Sequence, residues 1–238
     1  MKKVIGRTLI CAVLVLSICA NAFLLIRGGY WDKVQYRYFG KERSNVSGSD
    51  SSVAGWMRSL EQLDYDADVV FFGDSITSQG KWQEWFPDYK VVNLGVPGNA
   101  LDDMDERIEM VYAVHPEKVF IMGGINGITV VSLEPYIERY AKIIDELQEN
   151  LPEAEIYIQS VLPISAEKGQ KYNISNETIQ SFNEKLEKLA AERGCAYIEL
   201  YDIYELDGVM NPEMTRDGVH LKEEAYSPWV DRLKDYLK

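Results

Sequence analysis

DVVFFGDSITSQG, residues 68–80, runs from an aspartate through two valines and two phenylalanines into a glycine, an aspartate and a serine. A Val- and Phe-rich run that does not alternate with polar residues reads as a strand buried in the centre of a parallel sheet. Such sheets present ligands at the carboxyl ends of their strands. The turn Gly73-Asp74-Ser75 then carries a hydroxyl at that end, which makes Ser75 the candidate nucleophile. The same three residues also suit a plain turn entering a capped helix, because Asp and Ser accept hydrogen bonds from nearby backbone amides.

Outward from this stretch, strand-like and helical patterns alternate. Apolar runs at 68–73, 90–94, 117–123, 155–161 and 196–200 read as five strands, and helical spacing is expected near 102–113, 133–149, 177–193 and 222–237. In the second of these helices Ile137, Tyr140, Ile144 and Leu147 recur at steps of 3, 4 and 3, so they line one face. Gly194 is placed to end the third. Five alternations of strand and helix predict an α/β domain: a three-layer α/β/α flavodoxin-like sandwich with a five-stranded parallel sheet in the order 2-1-3-4-5. Strand 1, ending at Ser75, would then lie at the topological switch point. Trp82, Trp85 and Phe86 follow the nucleophile turn and are read as core cover or as the wall of an acyl pocket. The polar stretch 165–176 is read as a surface loop or a cover for the site.

The amino-terminal region differs in kind. Residues 1–7 carry Lys2, Lys3 and Arg7, and residues 8–26 contain no charged side chain. That length approaches the ~20 residues a spanning helix needs, so 1–27 is expected to be an uncleaved membrane anchor, a preceding transmembrane helix with the domain outside. The alternative is a signal peptide cleaved near Ala22, giving a secreted protein. Residues 28–66, with the polar run SNVSGSDSS at 44–52, are read as a linker and edge segment, and 67–238 as the catalytic domain. All 38 acidic residues and all but three of the 25 basic ones follow residue 7, for a net charge of −13 over the chain. This acidity excludes nucleic acid as an expected partner. Cys11 and Cys19 fall in the apolar segment, which leaves Cys195 alone beyond it. Two histidines and one cysteine there make no conventional zinc site, and no cofactor is expected.

A serine hydroxyl needs a base, and the base commonly needs an orienting group. His115 precedes Pro116 at the entry to strand 3, the opposite edge from Ser75, whereas His220 lies in the loop after the last strand. Asp217, three residues earlier with Gly218 between, is close enough to accept a hydrogen bond from the other imidazole nitrogen. At the same edge, NLGVPGNA after strand 2 offers Gly95 and GGINGI after strand 3 offers Asn126 as possible oxyanion donors. Each of these short loops also makes sense as an ordinary turn.

Four motifs in series, GDSI, Asn93-x-Gly95, Gly124-x-Asn126 and Asp217-x-x-His220, resemble the SGNH hydrolases, or GDSL family, over nearly all of residues 67–237. The resemblance implies Ser75 as nucleophile, His220 as base, Asp217 as its partner, and the Ser75 amide, Gly95 amide and Asn126 side chain as the oxyanion hole, without a metal. Gly127 departs from the pattern, since many members carry Asp after the third-block Asn. The GxSxG elbow of the α/β-hydrolases is absent, because Thr77 stands where it needs glycine. The expected activity is hydrolysis of carboxylic esters, short-chain ones such as acetyl by family habit. The rivals are an O-acyltransferase acting on cell-wall or exported polysaccharide and a non-catalytic glycan-binding domain.

Overall fold

The computed structural model describes residues 66–128 and 132–237. The expected membrane anchor and almost all of the linker and edge segment lie outside the described residues. Among the described residues no helix is long and apolar enough to cross a membrane.

Five parallel strands form one sheet: β1 (Val69–Gly73), β2 (Val91–Gly95), β3 (Lys118–Met122), β4 (Glu155–Gln159) and β5 (Ala196–Ile198), in the order β2-β1-β3-β4-β5. β1 pairs with β2 and β3 in one register, so that Gly73 lies beside both Gly95 and Met122. Every residue of β1 is buried, as its unbroken apolar run predicts. The parallel connections require helical crossovers, and these supply the outer layers.

Successive strand side chains point to opposite faces, and each face has its own core. Val70, Phe72, Val119, Ile121, Ile156 and Ile158 pack under α3 (Leu101–Asp105), α4 (Glu109–Tyr112), α5 (Glu134–Asn150) and α7 (Asn176–Arg193). Tyr140, Ile143, Ile144 and Leu147 are the buried residues of α5, so the face read from the sequence is the face that packs, with Ile137 partly buried at its start. Gly194 ends α7 in the left-handed conformation, at φ 67°. Val69, Phe71, Phe120, Met122 and Tyr157 face the other way, against α1 (Ser75–Ser78), α2 (Trp82–Trp85), α8 (Tyr201–Tyr204) and α9 (Ser227–Leu233). There the rings form a continuous stack: Trp82 lies 4.0 Å from Phe71, Phe71 5.2 Å from Phe120, and Phe120 4.6 Å from Tyr157. Trp82 and Phe86 are therefore core, while Trp85 is only partly buried beside them.

Several local expectations need revision. The helix expected at 102–113 is two short ones, α3 and α4, joined by tight turns in which the Arg107 and Ile108 amides reach only three residues back. The last helix is shorter than 222–237, with single 3₁₀ turns flanking α9. The loop 165–176 holds a helix, α6 (Ala166–Tyr172), capped by the Ser165 hydroxyl. A small hairpin, β6 (Glu205–Leu206) and β7 (Val209–Met210), turns at Asp207-Gly208, both with positive φ. That is the conformation an Asp-Gly hairpin turn requires.

Candidate active site

The site is assembled where β1, β2 and β3 end. Asp74 caps α1, its carboxylate accepting the Ile76 amide at 2.9 Å, and Ser75 follows as the first residue of the helix, 8 % exposed. The far end of α1 is tied down on several sides. Trp82 Nε1 donates to the Thr77 carbonyl (2.8 Å), the Tyr226 hydroxyl to that of Ile76 (2.6 Å), and Asn93 Nδ2 reaches the carbonyls of Thr77, Ser78 and Gly80. These bonds satisfy carbonyls that a one-turn helix leaves open. They also hold the hydroxyl-bearing turn in place.

His220 comes to this turn from 145 residues away in sequence, with Nε2 3.0 Å from Ser75 Oγ. Its Nδ1 lies 2.8 Å from Asp217 Oδ2, and Asp217 Oδ1 accepts the backbone amides of Val219 and His220 at 3.0 and 2.9 Å. Burial alone would raise the Asp217 carboxyl, but the His220 ring and those two amides together hold it well below the usual carboxylate range. An ionised Asp217 can only accept, so the His220 proton sits on Nδ1 and Nε2 is left to accept from the serine.

The loop that carries this pair is built by Thr215, whose hydroxyl donates to the His220 carbonyl (2.7 Å) and accepts the Gly218 amide (2.9 Å). Gly218 has φ 88°, and a Cβ there would come within 2.2 Å of Ser165 Oγ, so only glycine suits the turn. The Ser165 amide donates to the Gly218 carbonyl at 2.8 Å, which seats the loop on the start of α6. Two further contacts bridge it to the end of α1, Arg216 with Gln79 and Lys81 with Glu223. His115 lies at the other edge of the sheet, exposed and 3.2 Å from Asp66.

The two loops expected to supply oxyanion donors differ from one another. Asn126 Nδ2 donates one hydrogen to the Asn99 carbonyl at 2.9 Å, joining the loop after β3 to the loop after β2, and its second hydrogen has no acceptor among the described residues. Gly95 is not a free donor, because its amide already binds Asn93 Oδ1 at 2.9 Å on the outer side of the edge strand. Its lack of a side chain serves packing: a Cβ would lie 2.2 Å from the Ser78 nitrogen. Gly98, three residues on, has φ 80° and open space around it, and its amide has no acceptor among the described residues. It adjoins Asn99, the residue that Asn126 touches. Despite Gly127, the loop after β3 closes by a turn in which the Gly127 and Ile128 amides donate to the Gly124 carbonyl. Among the described residues no cluster of three or more His, Cys, Asp or Glu side chains is placed to hold a metal ion.

Asp74 itself is 1 % exposed. Burial pushes its carboxyl up to about 6, against the opposing pull of the Ile76 amide and of the Arg107 charge. A pKa raised on folding stabilises the protein fully below the unfolded value, and this contribution disappears as pH rises through about 6. At 1.36 kcal/mol per unit, keeping the charge buried at pH 8 costs about 3 kcal/mol. Asp74→Asn keeps the acceptor for Ile76 without the charge. It is expected to exceed the native chain by about 2–3 kcal/mol at pH 8 and to match it near pH 4. Urea unfolding at the two pH values checks this, and a difference independent of pH would contradict it.

Residues 71–227 match the model of the GDSL-like Lipase/Acylhydrolase family. A multidomain esterase of Ruminococcus flavefaciens is 23 % identical over 226 residues, which is 89 % of this chain and 27 % of that protein. The chain therefore spans about a quarter of the length of that curated relative. Among solved structures, a GDSL-like lipase from Bacteroides thetaiotaomicron superposes with a TM-score of 0.67 at 21 % identity, covering 79 % of this chain and 96 % of that one. The acetyl xylan esterase AlAXEase gives 0.61 at 22 % identity, covering 71 % and 98 %. At these identities the structures speak for the fold, while the family model spans well over half of the sequence, including the turn at Ser75 and the loop at His220. The chain belongs to the GDSL-like lipase/acylhydrolase family, that of the SGNH hydrolases.

Proposed function

We propose that the protein is a serine esterase that cleaves short-chain carboxylic esters, acetyl esters foremost, on the outer side of a membrane. The observation that carries this reading is the continuous line of hydrogen bonds from Ser75 Oγ through His220 to Asp217, at 3.0 and 2.8 Å. In the proposed reaction His220 Nε2 takes the Ser75 proton as Oγ attacks the ester carbonyl. The tetrahedral oxyanion is held by the Ser75 amide, the Asn126 side chain and, in place of Gly95, the Gly98 amide. His220 then gives the proton to the departing alcohol. Water, activated by the same imidazole, attacks the acyl-enzyme, and acetate leaves with Ser75 regenerated. Asp217 keeps the imidazole oriented and stabilises its protonated form. The extracytoplasmic location rests on the basic and apolar pattern of residues 1–27. The preference for acetyl draws support from the likeness to an acetyl xylan esterase.

The test pairs labelling with a substrate series. A fluorophosphonate is expected to modify Ser75 and no other serine, as located by peptide mass spectrometry. p-Nitrophenyl esters are expected to be hydrolysed fastest at two carbons and progressively more slowly with longer chains. An unlabelled Ser75 would sink the esterase mechanism, and rates rising with chain length would sink the short-chain preference. With an acetyl donor and polysaccharide together, more acetylated glycan than free acetate would instead make the protein an acyltransferase.

A further inference from the structure

Arg107 is unusual for a charged residue: it lies in the turn between α3 and α4 and is only 6 % exposed. Its guanidinium is spread over three segments. Nη2 donates to the Gly73 carbonyl at 2.8 Å, Nη1 to the Leu94 carbonyl at 2.7 Å, and Nε to Asn99 Oδ1 at 2.5 Å. The plane sits over Phe72, with Cζ 4.5 Å from the ring centroid. Gly73 ends β1 two residues before Ser75, Leu94 lies near the end of β2, and Asn99 adjoins Gly98 and accepts the Asn126 side-chain amide. A single buried cation thus fastens the turn of the nucleophile to the loop after β2, and through Asn99 to Asn126.

We propose that Arg107 is a positioning residue that sets the mutual placement of the oxyanion donors, by holding the end of β1 and the 96–99 loop to one rigid, planar fork. The proposal rests on the esterase reading above. Stability alone asks only that the three acceptors be satisfied, which separate donors could do as well. The fixed geometry of a guanidinium is what lets one group define three acceptor positions at once. Burial lowers the Arg107 pKa only to about 10, countered by Asp103 and Asp74, so the fork stays charged at neutral pH.

The experiment is a double-mutant cycle on the full-length chain, with kcat and KM for p-nitrophenyl acetate and the fluorophosphonate labelling rate as readouts. Removing one oxyanion donor, as in Asn126→Ala, is expected to lower kcat about 10²–10³-fold in the native background. Arg107→Met is expected to lower kcat about 10–100-fold with KM changed less than threefold, because it misplaces donors made use of chiefly in the transition state. Asn126→Ala added to Arg107→Met should then cost less than a tenth of its native-background effect. Arg107→Lys, which keeps the charge and reaches fewer acceptors, should fall between native and Arg107→Met, and it takes that variant's place in the cycle if Arg107→Met does not fold. A thermal midpoint that falls while kcat per folded molecule stays native would overturn the proposal, as would additive effects in the cycle. Failure of the esterase reading shows separately, as a native chain that neither turns over the ester nor takes the label at Ser75, and it overturns both.

Discussion

Ser75→Ala is expected to lower kcat for p-nitrophenyl acetate by about 10⁵–10⁶-fold while leaving the protein folded. The fold should survive because α1 is capped by Asp74, not by the serine, and its carbonyls are held by Trp82, Asn93 and Tyr226. Among the described residues, only the 3.0 Å bond from Oγ to His220 is lost. Circular dichroism and a thermal midpoint close to native would establish that. Chemically, the alanine leaves no atom to carry the acyl group, so what remains is direct attack by water with the oxyanion donors still in place. Because nucleophile and base act as one unit, adding His220→Ala to Ser75→Ala should slow the reaction no further. A single variant that retains kcat within tenfold of native would show that another nucleophile operates.

Asp217→Asn is expected to be the next most damaging change, at about 10³–10⁴-fold in kcat. Its interest lies in what it keeps. The amide oxygen can still accept the Val219 and His220 backbone amides that Oδ1 now accepts, so the loop retains its shape and the stability change should be small for a side chain that is 42 % exposed. What it cannot do is accept the Nδ1 proton of His220 through its NH₂ end. The imidazole is then driven to the tautomer with the proton on Nε2, facing Ser75, where it cannot act as a base. Native-like unfolding with a kcat loss of this size is the expected pair of results. A loss of kcat below tenfold would mean that Asp217 only builds the loop.

The fold was legible because its five strands announce themselves as short apolar runs and its two long helices as unambiguous one-sided patterns. What misled was local. Leu101, Met104, Ile108 and Val111 keep helical spacing across 101–111, yet the backbone tightens to three-residue bonds around Arg107, a change that side-chain periodicity does not record. Nothing in the sequence around Arg107 marks it as buried against carbonyls. The two-residue strands β6 and β7 are too short to alternate visibly, although Asp207-Gly208 offered a turn signal that went unread.

Ser75 and Asn126 stand out as distinctive residue types just past a strand, and Asp217 and His220 as an acid and an imidazole three residues apart in one loop. The expectation for Gly95 is of another kind. Two glycines three apart in one loop look alike as letters, and only strand direction shows that the Gly95 amide faces Asn93 at the edge of the sheet.

Asp217 and His220 share one tight loop, three residues apart, while the serine they serve lies on a separate piece of chain. The imidazole and the carboxylate that holds its Nδ1 therefore travel as a single part. Any drift of the loop, for instance through changes at Ser165 or along α6, leaves the imidazole proton where it belongs and alters only the gap to the hydroxyl. The tunable coordinate of this site is a distance rather than a protonation state. Variants of α6 should accordingly form a graded series in rate that shares one pH profile, so that the same chemistry can be run faster or slower by remodelling a surface helix.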